Sequence, residues 1–176
     1  MLLLKKLFTL LALGFLVASG CKQAERGENS ASNNSQAVRD SEKLPDFTLT
    51  TLTGETVNLR QLEGKKIVIV NFWATWCGPC RHEIPDFNSV YSRYRDRGVE
   101  ILGISVDPSP EVEVPPFIKK IPINYPVLLG SPDLTYRYGI RGLPTTFIID
   151  RHGRITNRIV GMTSASKLEA EINKLL

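Results

Sequence analysis

Two of the chain's three cysteines, Cys77 and Cys80, are separated only by Gly78 and Pro79 in the stretch NFWATWCGPC. If Cys77 follows a buried strand and opens a helix, its sulfur lies where unpaired backbone N–H groups point outward. That environment stabilises a thiolate, the species that attacks disulfides. Cys80, one turn later on the same side, is placed to attack the mixed disulfide so formed and release the substrate. Gly78 permits close backbone approach, Pro79 stiffens the first helical turn without removing a needed donor, and Trp76 offers a flat surface beside the sulfur. The pair reads as one that cycles between dithiol and disulfide.

Other chemistries fit the pair less well. Zinc needs further ligands, and the only histidines, His82 and His152, have no metal-ligand spacing relative to it. A c-type haem site needs His directly after the second cysteine, where Arg81 stands. A structural disulfide would close too small a loop to stabilise much. Copper(I) suits thiolates, but no nearby Met or third Cys completes a site. No metal and no cofactor is expected.

The elements that must position the pair follow from hydrophobic patterning. DFTLTTLTGETVNLRQL alternates around Thr53-Gly54 as a β-hairpin does. KKIVIVNFWA is a continuous β-branched run, which predicts a strand buried on both faces at the centre of a sheet. Ile84, Phe87, Tyr91 and Tyr94 then recur at helical spacing up to Arg97-Gly98, with Pro85 expected to kink the helix. VEILGISVD predicts a second buried strand, parallel to the first. The proline-rich stretch that follows predicts short helices over Pro115–Lys120 and Pro132–Tyr138. TTFIID and ITNRIVG predict an antiparallel hairpin around RHGR. A last helix from Ser164 is expected to place Leu168, Ile172, Leu175 and Leu176 on one face, with Ser166 and Glu169 spaced as a capping box.

The N-terminal region is of another kind. Lys5 and Lys6 precede an apolar run from Leu7 to Ala18, shorter than the ~20 residues a membrane span needs, so residues 1–20 read as a secretory signal. VASGC is similar to a bacterial lipobox, with Ala18 where leucine is most usual, and this makes Cys21 the expected lipidation site. Residues 21–43 are polar and Ser/Asn-rich, as a flexible tether would be, and the folded domain is expected over 44–176. The net charge of +4 shows no basic stripe of the kind nucleic acid requires.

FWATWCGPC followed by GLPTTFIID resembles the thioredoxin superfamily. With the lipobox, the early hairpin and a central insertion over roughly 107–129, the chain is similar to extracytoplasmic TlpA/ResA-type proteins. The resemblance implies an α/β thioredoxin fold, a central mixed sheet flanked by helices, with an N-terminal β-hairpin and the insertion as additions. It implies that Pro144 is cis and faces the cysteines, so that the backbone at Leu143 pairs with substrate. Cytoplasmic thioredoxin has a buried Asp six residues before its first cysteine; here that place is Asn71, which does not titrate. ResA-like members carry a Glu three residues after the second cysteine, and Glu83 matches it, so the resemblance gives Glu83 the proton handling. A solvated glutamate favoured by the helix dipole is the competing reading of that residue.

The expected function is therefore an extracytoplasmic thiol–disulfide oxidoreductase, working as a reductase of protein disulfides. The resemblance implies apocytochrome c as substrate and a transmembrane thiol carrier as electron donor; the lipobox implies a lipid-anchored location, facing the periplasm where two membranes exist, and a monomer is expected. A peroxiredoxin-like peroxidase shares the fold, but the Thr expected three residues before its peroxidatic cysteine is Ala74 here. A non-catalytic copper-binding module is the third reading.

Overall fold

The computed structural model describes residues 43–176. The signal segment, Cys21 and all of the tether but its last residue lie outside the described residues. The hairpin comprises β1 (Thr48–Thr50) and β2 (Thr56–Asn58), antiparallel, with Gly54 at φ +87° in the turn. A positive φ is strained for any residue with a Cβ, and this is why glycine holds that place. The hairpin also covers a sheet edge: Leu52 N–H donates to the carbonyl of Val127 at 3.2 Å, and Thr51 bridges to Leu128. An open strand edge is thereby closed.

The main sheet runs in the order β5-β4-β3-β6-β7. Its strands are β3 (Ile67–Trp73), β4 (Val99–Ser105), β5 (Val127–Leu129), β6 (Thr145–Ile149) and β7 (Ile155–Val160). β3 is parallel to β4 and antiparallel to β6, and all seven of its residues are buried. Alternate residues of a strand point to opposite faces, so β3 feeds two cores at once. Ile67 and Ile69 pack with Phe87, Val90, Leu168 and Ile172 on one side. Val68, Val70 and Phe72 pack with Leu102, Leu128 and Phe147 on the other. The uninterrupted apolar run is what a strand with two buried faces requires.

Helix α1 spans Gly78–Tyr94 and passes through Pro85 as a single element. Pro85 is exposed, so the Arg81 carbonyl that loses its donor there can turn to water. The buried stripe is Cys80, Glu83, Ile84, Phe87, Val90 and Tyr94, with Tyr91 only half-buried. A 3₁₀ turn and Gly98 at φ +84° end the segment.

Four expectations change. Helix α2 covers Pro110–Ile118, starting five residues before the expected Pro115. Pro110 begins it, where a missing N–H costs nothing, whereas Pro115 and Pro116 lie inside. Those two prolines leave unpaired the carbonyls of Glu111 and Val112, both exposed residues. Strand β5 was not expected from the sequence; it pairs with β4 in parallel, Gly103 opposite Val127. Helix α3 (Pro132–Arg137) ends one residue earlier than expected. In α4 (Ala165–Asn173) the cap is Ser164, whose Oγ accepts from Lys167 N–H at 3.4 Å, and the Ser166–Glu169 box does not form. Glu169 instead pairs with Arg93 of α1, an interhelix contact that sequence spacing does not reveal. Leu168 and Ile172 are fully buried, while Leu176 lies beyond the helix and is exposed.

Candidate active site

The chain leaves β3 at Trp73, crosses Ala74, Thr75 and Trp76, and enters α1 with Cys77 as its N-cap. The Cys77 sulfur accepts the Cys80 N–H at 3.2 Å, so it occupies the place a Ser or Asp side chain takes at an ordinary helix start. A negative sulfur there is stabilised by that N–H and by the helix dipole. Cys77 and Cys80 are joined, Sγ to Sγ at 2.01 Å. Both are largely buried, Cys77 5 % and Cys80 1 % exposed, but Cys77 lines an open groove whereas Cys80 belongs to the buried stripe of α1.

The groove, about 830 Å³, is walled by Trp76, Pro79, Ile140 and Leu143 among others. Trp76 is 65 % exposed, a large apolar surface beside the sulfur. The Leu143–Pro144 peptide is cis, and the Pro144 carbonyl accepts the Gly161 N–H at 2.8 Å. Trp76, Cys77 and Leu143 thus meet on one surface, although they come from two segments some sixty-five residues apart in sequence. Pro144 is buried and does not line the groove.

Glu83 lies off the groove, on the buried face of α1, and is 2 % exposed. Its position follows from the helical repeat, one turn after Cys80 and one before Phe87. Asn71 is an odd-numbered residue of β3, so it shares the face of Ile67 and Ile69, the face α1 covers. There Asn71 Nδ2 donates to Glu83 Oε1 at 2.9 Å and to Thr146 Oγ1 at 3.0 Å. The Thr163 N–H donates to Glu83 Oε2 at 3.0 Å. Burial away from water raises the Glu83 pKa from 4.5 to about 7; the bonds from Thr163 and Asn71 oppose the rise, and Asp86 adds to it. This places a carboxyl that exchanges its proton near neutrality on the same helical stripe as Cys80.

Sequence reasoning passed over Asp107, just beyond the end of β4. It is fully buried, and both its oxygens face the loop that leads to the cysteines. Thr75 N–H lies 3.1 Å from each oxygen, Thr75 Oγ1 donates to Oδ1 at 2.7 Å, and Ser105 Oγ donates to Oδ2 at 2.7 Å. Charge-assisted bonds of this kind are about twice as strong as neutral ones, so Asp107 holds the Thr75–Cys77 turn in place. The available signal was a lone acid ending an apolar strand opposite a threonine. Among the described residues, no cluster of three or more His, Cys, Asp or Glu side chains could hold a metal ion. His82 bonds the Gly78 carbonyl on its own helix at 3.0 Å.

The sequence matches the AhpC/TSA family over residues 41–158. It is 35% identical over 134 residues to the thiol-disulfide oxidoreductase ResA of Bacillus cereus, covering 76% of each chain. The chain belongs to the thioredoxin-like AhpC/TSA family, among the ResA-type thiol–disulfide oxidoreductases. The solved structure of a putative thiol:disulfide interchange protein DsbE from Chlorobium tepidum superimposes with a TM-score of 0.71 at 32% identity, covering 78% of this chain and 97% of that one. StoA from Bacillus subtilis superimposes at 0.62 with 27% identity, over 72% of this chain and 96% of that one. The family has the thioredoxin-like fold, a mixed sheet between helices, and the early hairpin is part of it here. Its chemistry is thiol–disulfide exchange, and the joined Cys77–Cys80 pair in this chain fits a CxxC redox motif.

Proposed function

We propose that the chain reduces disulfides of other proteins outside the cytoplasm, held at a bacterial membrane by a lipid on Cys21. The observation that carries the reading is the asymmetry of the pair, with Cys77 at a helix N-terminus in an open groove and Cys80 buried behind it. In the reduced protein the Cys77 thiolate attacks one sulfur of the substrate disulfide. An S–S bond forms to Cys77, the substrate's own S–S bond breaks, and its second sulfur leaves as a thiolate that takes a proton. Cys80 then gives up its proton, with Glu83 as the nearby acceptor on the same stripe, and its thiolate attacks Cys77 Sγ. The mixed disulfide breaks, the substrate's remaining sulfur leaves as a thiolate that takes back the proton Glu83 received, and the Cys77–Cys80 disulfide forms. Two electrons pass from the pair to the substrate, with one proton from Cys80 and the other from solvent.

Resemblance makes apocytochrome c awaiting haem attachment the leading substrate and a membrane-spanning thiol carrier the donor that re-reduces the pair. The test is Cys80→Ser, which leaves the mixed disulfide on Cys77 unresolved. Capture of a protein with a haem-attachment cysteine pair supports the reading, and capture of none, with the variant folded, refutes it. Direction is tested by redox titration: a midpoint near thioredoxin's value of about −270 mV fits a reductase, and one near about −120 mV fits an oxidant. Anchoring is tested by Cys21→Ser, which should abolish lipid labelling and membrane association.

A further inference from the structure

The groove beside Cys77 carries one charged side chain among the residues that line it, Arg141, and no acid. The other walls are mainly apolar, including Trp76, Pro79, Val106, Ile140 and Leu143. Two neighbouring arginines are already engaged with backbone. Arg137 donates to the Asp46 carbonyl at 2.9 Å, and Arg158 donates to the Gly139 carbonyl while lying over the Phe147 ring. Arg141 differs from them: it is exposed, and among the described residues it makes no ion pair and no side-chain hydrogen bond. It is also two residues before Leu143, which lines the same groove.

We propose that Arg141 selects substrates: the groove takes an extended, apolar segment whose target cysteine is flanked by an acidic residue, and that carboxylate meets the Arg141 guanidinium. This rests on the reading of the pair as a reductase of protein disulfides, and it names which disulfides are favoured. The physical need is plain. A carboxylate beside the target cysteine meets the one charged side chain that lines the groove, Arg141, whereas a lysine in the same place is repelled by it. The fork of an arginine also suits a carboxylate better than a point charge does. The groove walls keep part of the pair out of water, which strengthens it relative to a pair on open surface.

Three peptides test this, each with a single cysteine joined to 2-mercaptoethanol as a neutral mixed disulfide and differing only in whether Asp, Asn or Lys precedes that cysteine. Release of the peptide thiol by reduced, full-length protein is followed by chromatography. The expected order of rate constants is Asp, then Asn, then Lys, with the Asp/Lys ratio about fivefold, the scale of an exposed ion pair gained on one side and a repulsion avoided on the other. The ratio should shrink towards one at about 1 M salt, where the screening length falls to about 3 Å. Arg141→Gln should collapse the ratio and Arg141→Glu should invert it, while the pH profile of Cys77 alkylation stays where it was. An unchanged ratio in Arg141→Gln overturns the assignment. So does a loss of rate shared by all three peptides together with a shifted Cys77 titration, since Arg141 would then act on the thiolate. Equal rates for all three with the unaltered protein leave the reductase reading standing and remove this one; no reaction with any of them overturns both.

Discussion

Replacing Glu83 with Gln removes a titrating carboxyl from the interior while leaving nearly the same shape. Glu83 titrates near 7 in the folded protein, against 4.5 ordinarily. Below pH 4.5 the folded and unfolded chains both hold this proton. Between 4.5 and 7 only the folded chain holds it, so stability falls as pH rises through that window. Above about 7 both forms are ionised and the loss is complete. The gap of about 2.5 pH units, at ~1.36 kcal/mol each, amounts to about 3 kcal/mol. Gln can replace the protonated acid: its carbonyl accepts the Thr163 N–H, and its amide donates to Asn71 once the Asn71 side chain turns to present Oδ1 in place of Nδ2. Glu83→Gln should therefore match the parent within about 1 kcal/mol near pH 4.5 and exceed it by about 3 kcal/mol at pH 8. Urea denaturation of the disulfide form of both proteins at half-unit steps between those limits gives the difference directly, and other titrating groups cancel in it. A difference that stays flat across the range would refute the account of Glu83 as a buried acid. The same variant should resolve mixed disulfides more slowly and lose the step near neutrality in its rate profile. A profile unchanged in Glu83→Gln would confine the residue to a structural part.

Asp107→Asn should cost about 1–3 kcal/mol, because one carboxylate oxygen that accepts from Ser105 or Thr75 becomes a donor facing a donor; denaturation measures this, and slower Cys77 alkylation would report the loosened loop. Reduced protein treated briefly with iodoacetamide at neutral pH should be labelled at Cys77 before Cys80, and peptide mapping showing the reverse would exchange their roles. Gly130→Ala should destabilise the fold by at least about 2 kcal/mol, since its Cβ would lie 2.3 Å from the Ser105 carbonyl oxygen, a backbone atom of β4 that cannot turn aside. Thermal unfolding of the purified variant decides that case.

The cysteine pair was legible as a candidate site because its signals are local. Two cysteines at CxxC spacing, a β-branched run before them and a helical repeat after them are all read within some thirty residues. The two core strands, the early hairpin and the last hairpin were equally plain, since each carries its own periodicity and turn residues. Strand β5 was not legible: three residues, Val127–Leu129, leave no period to detect, and their pairing depends on β4 being beside them. The start of α2 is ambiguous in the sequence because Pro115 and Pro116 resemble a helix beginning, whereas Pro110 is the proline in the position helices favour. The burial of Glu83 could have been read from its place between Cys80 and Phe87, but a glutamate in the second turn of a helix reads equally well as a solvated one.

From the sequence alone came the candidate chemistry: the two sulfurs proposed to react, the order in which they meet the helix start, and the strand that delivers them. Those properties depend on residues that are neighbours along the chain. The tertiary structure decided the surroundings of that chemistry. Asn71, Glu83, Thr146 and Thr163 meet in one hydrogen-bonded set although they span more than ninety positions. Asp107 reaches back thirty-two residues to hold Thr75, and Leu143 comes to the same groove as Cys77. Whether a carboxyl is neutral or charged near pH 7 depends on what excludes water from it. In this fold that is done by the packing of α1 onto β3 and by the segment after β7, contacts that no local stretch of sequence contains.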